Sequence, residues 1–535
     1  MAGLAVTLLA TAALAATEPA HPVVPGQAGA PLSVAELTPA SGAVWFSAVD
    51  AASGRELWRS DGSAIGTRQV IDLVAGPTGA NPTALVAWQN GIAFVATDAG
   101  GATHLYRSDG TAAGTQRLTD RQPGYTWSQP RALAVQGELL VFADGAYDGW
   151  QTDGSAGGTK ALQTPPPSLE FGRSTLERID AGPGFALLTF NVSTECCQAF
   201  EVVRADAETY LPLALLAVAG GIAPDPRPSE FVAVGGRVAF GGNGRIHWTD
   251  GVTAIALLAD FDGFGSSATV SGLAPFGAGV AFAIGGTIDG NGLWLSDGTT
   301  DGTRRIAAFR ELTAPVAVGD RLLFSARVAD EPWALWRADA GGATRLLDGV
   351  LAYNLTAIDG AAVFTARGAL RASTDLWVSD ATPARTGRVQ RLGATALAQF
   401  ASAGDRLYLA ADTPAAPWAL WSAAARDLQP FTPPACSGDC DGDARVTVEE
   451  LVAGVALALG QEGGSACHAG FCHADCGPGP GVGRPSIACL VSAVGALLDG
   501  CPVDRCSIDA DCDDGNACSA DQCTEGGCAN ACLCV

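Results

Sequence analysis

Leu57-Trp58-Arg59-Ser60-Asp61-Gly62, followed by Gly66-Thr67, is one short phrase that this chain writes again and again. It returns as Leu105-Tyr106-Arg107-Ser108-Asp109-Gly110 with Gly114-Thr115, and as Leu293-Trp294-Leu295-Ser296-Asp297-Gly298 with Gly302-Thr303. Weaker copies occupy Trp150 to Gly154, Val203 to Asp206, His247 to Gly251, Leu335 to Asp339 and Leu376 to Asp380. A ninth copy, Leu420-Trp421-Ser422, has lost its aspartate. The aligned aspartates 61, 109, 153, 206, 250, 297, 339 and 380 lie 41 to 53 residues apart. A period of this size marks a stack or ring of small β units.

Each unit divides into short strands. In the second, Ala84 to Trp88, Ile92 to Ala96, His104 to Arg107 and Thr115 to Leu118 are separated by Gly- and Asn-bearing turns. The second strand recurs in all nine units, from Val44-Trp45-Phe46 and Ile92-Ala93-Phe94 through Leu140-Val141-Phe142, Ala186-Leu187-Leu188, Val238-Ala239-Phe240, Val280-Ala281-Phe282, Leu322-Leu323-Phe324 and Ala362-Val363-Phe364 to Leu407-Tyr408-Leu409. Four-stranded units of this length predict a mainly β chain, a β-propeller of about eight or nine blades over residues 31–431. A straight solenoid would have shorter rungs. Nine units leave two ways to close the ring: nine blades, or a terminal unit that is incomplete or shared in closure.

The phrase has a structural reading. Its Trp packs blade against blade, while Asp-Gly makes a tight turn in which Asp accepts backbone N–H bonds and Gly takes positive φ. The alternative is a ring of eight carboxylates gathering cations. The phrase resembles the ELWxxDGT repeat of secreted and surface proteins of bacteria. That resemblance implies a propeller-like extracellular repeat protein and supplies no catalytic residue.

The bulk composition agrees with a folded chain: 48% hydrophobic and 16% charged residues over 535 positions. A formal net charge of −24 argues against nucleic acid as a partner, because phosphate-backbone binding needs a basic surface. Residues 4–15 resemble the apolar core of a secretory signal peptide, with Ala13-Leu14-Ala15 as a small-x-small cleavage pattern, although no Lys or Arg precedes them. The expected division is a signal peptide at 1–16 and a linker at 17–30. No other run is long enough to be a transmembrane anchor. Cysteine use points to the same secreted or cell-surface location. Fourteen of the 16 cysteines crowd into residues 436–534, a density that implies disulfides formed in an oxidising compartment.

The tail is expected to hold a Ca²⁺ site. Asp439, Asp441 and Asp443 stand at positions 1, 3 and 5 of a twelve-residue loop, with Arg445 offering its carbonyl, Thr447 at position 9 and Glu450 closing it. Ala444 replaces the glycine usual at position 6. A helix follows, on the spacing of Val448, Leu451, Val452, Val455 and Leu459, and Gly460 stops it. A second helix, Cys489 to Leu498, repeats the pattern behind a loop without ligand carboxylates. Residues 436–501 therefore resemble a dockerin-like paired EF-hand with one live loop. His468 and His473, among Cys467, Cys472 and Cys476, raise zinc as an alternative to disulfides. Residues 502–535 resemble the DCDDGNxC-type cysteine-rich modules of exported bacterial proteins, and their pairing cannot be deduced from spacing.

No nucleophile elbow, zinc-protease, P-loop or Rossmann signature is present, and His104 and His247 are the only histidines of the repeats. The expected function is a binding or scaffold propeller, carrying a glycan or surface-protein site on the ring and a protein partner on the dockerin-like tail. Two alternatives stand beside it: a carbohydrate-active enzyme, hydrolase or lyase, working with paired carboxylates, and a structural adhesin or envelope component.

Overall fold

The computed structural model describes residues 21–22 and most of 32–430. Left out within that span are 120–128, 146–147, 156, 164–174, 193–196, 207, 220–226, 243, 258–267, 287–289, 368–375, 391–395, 414–415 and 429. In the tail it describes Val448, Leu451, Val452, Val455, Val494, Ser519–Thr524 and Gly527–Cys532. The chain forms two compact units, Met1–Arg367 with Thr374–Gln429, and Gly368–Ser373 with Pro430–Val535.

The first unit is a nine-bladed propeller. Its blades span 32–71, 83–117, 130–161, 175–219, 231–257, 269–308, 311–348, 351–390 and 396–424, each an antiparallel up-and-down sheet. In the seventh the first strand is split in two, Glu311–Leu312 and Val316–Val318, both paired with Arg321–Arg327. The first strand of every blade neighbours the first strand of the next, and that of the ninth neighbours that of the first, so the ring is closed. Closure is shared between the chain ends. Ala396–Ala403, Arg406–Thr413 and Ala416–Ala424 supply three strands of blade 9, and His21–Pro22 pair with Ser422 and Trp421 as the fourth. The stretch expected as linker therefore contributes a strand, which two residues of His-Pro could not announce in the sequence.

All nine second strands lie where the repeat placed them, from Ala43–Asp50 to Arg406–Thr413. The cross-strand register explains the aromatic residues. The last residue of each second-strand triplet stands opposite the phrase aromatic: Phe46 faces Trp58, Phe94 Tyr106, Phe142 Trp150, Phe282 Trp294, Phe324 Trp336, Phe364 Trp377 and Leu409 Trp421. Three of these pairs stack, with centroids 6.4 Å apart for Phe46–Trp58, 5.5 Å for Phe94–Tyr106 and 6.1 Å for Phe364–Trp377. Such pairs contribute about 0.5–1.5 kcal/mol beyond their buried area.

A single four-stranded sheet has no interior, so the core is distributed over the seams. Val34, Phe46 and Trp58 of blade 1 pack with Tyr408 and Leu420 of blade 9. Trp45 and Leu57 on the opposite face of blade 1 pack with Phe94 and Tyr106 of blade 2. The same division recurs around the ring, down to Val363 and Val378 of blade 8 against Leu409 and Trp421 of blade 9. The phrase aromatic faces the preceding blade and the phrase leucine faces the following one.

First strands carry a recurrent bulge, with the pairing register jumping at 83/86, 131/134, 271/274, 353/356 and 398/401. One bulge residue takes positive φ each time: Ala84, Ala132, Gly272, Asn354 and Gln399. The extra residue bends the strand and sharpens its twist beside the ring axis.

In the second unit, Val448, Leu451, Val452, Val455 and Val494 are helical. Ser519–Thr524 and Gly527–Cys532 form an antiparallel hairpin in the cysteine-rich segment. Among the described residues no helix is long and apolar enough to cross a membrane.

Candidate functional site: the turn-bearing face

Eight phrase aspartates invite a ligand role, and the geometry assigns each to its own turn. Oδ1 of Asp61, Asp109, Asp153, Asp206, Asp250, Asp297, Asp339 and Asp380 accepts the backbone N–H two residues on, at 2.7–2.9 Å in every case. In Asp61, Asp109 and Asp297 the same oxygen also accepts a hydroxyl, from Ser63, Thr111 and Thr299, at 2.7 Å. Those hydroxyls, and next the backbone N–H groups, hold the three carboxyls below the usual aspartate range. Among the described residues no group of three His, Cys, Asp or Glu is placed to hold a metal ion.

The rest of the phrase closes the same loop. The hydroxyl before Asp meets the Thr of Gly-Thr, as in Ser60–Thr67 at 2.7 Å, Ser108–Thr115 at 2.8 Å and Ser296–Thr303 at 2.8 Å. The first glycine takes positive φ, +90° at Gly62 and +95° at Gly110, as its turn position requires. The second glycine is needed for space. A Cβ on Gly66, Gly114, Gly158 or Gly302 would lie 2.0 Å from an oxygen of the turn's own aspartate. Gly302→Ala is therefore expected to cost about 1–3 kcal/mol. Urea unfolding of Gly302→Ala, Asp297→Ala and the double variant checks the cause, because removing the carboxylate should relieve the alanine. The double should fall short of the summed costs by about 1 kcal/mol or more.

The turn also serves its neighbour. A donor from one blade reaches a carbonyl in the phrase turn of the next: Arg68 to Gly110 (3.2 Å), Gln89 to Asp153 (3.2 Å), Arg204 to Gly251 (3.3 Å), Arg237 to Asp297 (2.6 Å), Arg304 to Ala340 (2.6 Å) and Arg337 to Ala381 (3.3 Å). Between blades 3 and 4 the donor is the backbone N–H of Gln163, 2.8 Å from the Asp206 carbonyl. Arg406 and Ser422 reach the Gly62 carbonyl at 3.4 and 3.2 Å and so link blade 9 to blade 1. Blade 9 has no Asp-Gly turn, and blade 8 faces it with Ala361 and Val378 among apolar neighbours. Hooks of this kind span eight seams. Sequence alone did not show this, because nothing in one repeat says which carbonyl its arginine meets.

Two polar residues two places before the phrase aromatic anchor the connections between blades. Glu56 is fully buried, and its Oε1 accepts N–H groups from Val74 (3.2 Å) and Ala80 (2.9 Å). Its Oε2 has no hydrogen-bond partner. Burial pushes this carboxyl up to about 6, against the N–H bonds that favour its charge. At the equivalent place in blade 2, His104 lies 3.0 Å from Thr119 Oγ1 through Nδ1, and 3.0 Å from Asp98 Oδ2 through Nε2, with Arg117 Nη1 at 3.1 Å. The order Thr–His–Asp has the connectivity of a nucleophile triad. Thr119 is only 2% exposed, however, so a substrate carbonyl has no approach to its hydroxyl. The cluster ties down the exit from blade 2.

His247 occupies the phrase-aromatic place of blade 5. It stacks on Phe240 at 5.0 Å with a 9° interplanar angle, and Nε2 lies 3.2 Å from the Gly242 carbonyl. Burial drives its pKa down to about 4. Its role is that of the tryptophan it replaces, so neither His104 nor His247 is placed for catalysis.

Nearer the axis, carboxylate and amide side chains from the first strands reach the next blade. Glu36 accepts from Leu85 N at 3.4 Å, Glu230 from Leu273 N at 2.5 Å and Gln399 from Leu37 N at 3.5 Å. Glu36 and Gln399 sit at bulges that break the strand alternation, and Glu230 lies just before its strand, so the sequence pattern does not mark them. The loop positions Asp439, Asp441, Asp443, Arg445, Thr447 and Glu450 lie outside the described residues, as do His468, His473 and Cys196.

No protein-family model and no curated protein sequence matches the chain. Among solved structures it is similar to the computationally designed Ika8 protein, at 15% identity and a TM-score of 0.37 over 74% of this chain and 97% of that one. It is also similar to the β-propeller domain of the Trilobed protease from Pyrococcus furiosus, at 11% identity and a TM-score of 0.31 over 60% and 97%. Puromycin hydrolase matches at 15% identity and a TM-score of 0.27 over 64% of this chain and 59% of that one. The architecture rests on the strand pairing of this chain.

Proposed function

We propose that this is a secreted or cell-surface β-propeller acting as a binding or scaffold module, with a Ca²⁺-binding, dockerin-like tail that attaches it to a surface or a protein complex. One observation carries the ring half of this reading: all eight phrase aspartates are spent on turns, and the turns on holding blades together. The repeat thus builds a rigid frame and leaves recognition to places where it is broken. The apolar stretch at 4–15 and the cysteine density of 436–534 support export. The spacing of Asp439, Asp441, Asp443 and Glu450 supports calcium, because alternate side chains and a closing glutamate supply the oxygens the ion demands.

Calorimetric titration of the whole chain with Ca²⁺ tests the tail. One site is expected in the wild type, and Asp441→Ala should weaken it by an order of magnitude or more. Identical isotherms would remove calcium from the reading. Deleting residues 436–535 should abolish association with cells or complexes while leaving the ring folded; association that survives the deletion would rule out attachment through the tail.

A further inference from the structure

The repeat is also altered at the seam between blades 7 and 8. The turn of blade 7 is cut to two residues, Ala340-Gly341, with Asp339 paired directly to Gly342. The shortening opens a cleft of about 90 Å³ lined by Arg321, Arg337, Ala338, Asp339, Gly342 and Thr344. That volume equals about three molecules of liquid water. Blades 4 and 5 also have short turns, but there an aromatic side chain takes the space. Phe185 of blade 4 packs against Gly251, where an added Cβ would meet its ring at 2.6 Å, and Trp248 of blade 5 lies under Arg237, 4.6 Å from its guanidinium carbon.

At the cleft two guanidinium groups converge on one acceptor. Arg337 Nη1 is 3.3 Å and Arg321 Nη1 3.5 Å from the Ala381 carbonyl. Every other seam whose contacts are described above sets at most one guanidinium on the turn of the next blade. A single carbonyl cannot use the donors of two guanidinium groups, each with five N–H bonds. The remaining donors meet no acceptor at hydrogen-bond distance among the described residues. The nearby carboxylates are otherwise engaged: Asp339 accepts from Gly341 N at 2.7 Å, and Asp380 lies 3.8 Å from Arg385. Asp320 is 3.8 Å from Arg321 Nε, but its side chain is 95% exposed.

We propose that this cleft is a subsite for a small oxyanion, held by Arg321 and Arg337 with Thr344 in its lining. Planar guanidinium groups suit carboxylate, sulfate and phosphate because two parallel N–H bonds match two oxygens. The site deepens the binding reading of the ring and is independent of the calcium tail. Its natural source is either a free inorganic anion or the acid group of a glycan.

Titration of the whole chain with inorganic sulfate, inorganic phosphate and galacturonate, followed by calorimetry, tests the subsite and separates the sources. Saturable binding of at least one is expected, weakened about tenfold or more by Arg337→Gln and by Arg321→Gln. Preference for galacturonate identifies an acidic glycan, and preference for sulfate or phosphate a free anion. Asp339→Asn gives the opposite sign: the amide can still cap the turn while a like charge is lost, so affinity should rise about fivefold. A merely damaged seam would not produce that gain. No saturable binding, or binding indifferent to all three substitutions, overturns the proposal. Oxyanion binding without any effect of Arg337→Gln on glycan or surface association leaves the subsite standing and counts against the ring as the recognition module.

Discussion

His247→Phe is expected to remove most of the acid sensitivity of the ring between pH 6.5 and 4. In the folded chain the imidazole is stacked on Phe240 and its pKa is lowered from 6.5 to about 4. A histidine whose folded pKa is depressed binds its proton more readily in the unfolded chain. Its neutral form leaves stability intact above about pH 6.5, and stability is then lost as pH falls toward 4. The total is about 3 kcal/mol, large against the ~5–15 kcal/mol that holds a typical domain. Phenylalanine keeps the stack and has no proton to take up. Glu56 acts in the opposite sense. Its folded pKa is raised from 4.5 to about 6, so its contribution is present below pH 4.5 and is lost as pH rises through 6. Melting temperatures measured from pH 7 to pH 4 should therefore fall in the wild type, and stay level or rise in His247→Phe. Unchanged acid slopes in the variant would show that the imidazole does not titrate as its burial requires.

Trp45→Ala is expected to cost about 3–5 kcal/mol, among the largest losses any single substitution could cause here. Trp45 is wholly buried at the seam between blades 1 and 2, beside Leu57, Phe94 and Tyr106. Its Nε1 donates to the Ala40 carbonyl at 3.3 Å, and Arg59 lies 5.7 Å from the ring. Gly110 of the next blade comes so close that an added Cβ would meet the indole at 3.2 Å, so the neighbouring backbone has little freedom to fill the hole. Each blade packs mainly on its two neighbours, and the damage should be local before it is global. Hydrogen exchange should accelerate first in strands Ala43–Asp50 and Gly91–Thr97, and last in blades 5 and 6 on the far side of the ring. Uniform acceleration around all nine blades would mean that the ring unfolds as one unit.

Much of this fold was legible because the repeat samples the same physics nine times. A triplet such as Val280-Ala281-Phe282 is ambiguous alone, yet its recurrence fixed every second strand. The Asp-Gly turn was also legible, since its chemistry is local and needs only residues within two places of each other. Two things were hidden. Gly302 is glycine because of a carboxylate five residues upstream, a contact that appears only once the loop has closed. Arg304 and its counterparts in other blades act on a carbonyl of the next unit, across a seam that one repeat does not contain. His247 was legible as a copy of the phrase, but its meaning changed with the register: placed opposite Phe240, it substitutes for an indole.

The seam between blades 8 and 9 has a consequence for assembly. A ring of interchangeable units could close at eight, or admit a blade from another molecule, because every joint would accept every unit. Here blade 9 has no Asp-Gly turn for a donor of the preceding blade to grasp. Blade 9 also takes its last strand from His21–Pro22, at the opposite end of the chain. It fits one address only, after eight and before one. That irregular unit lets the chain count its own blades, and a propeller given a regular ninth phrase should be prone to errors of number.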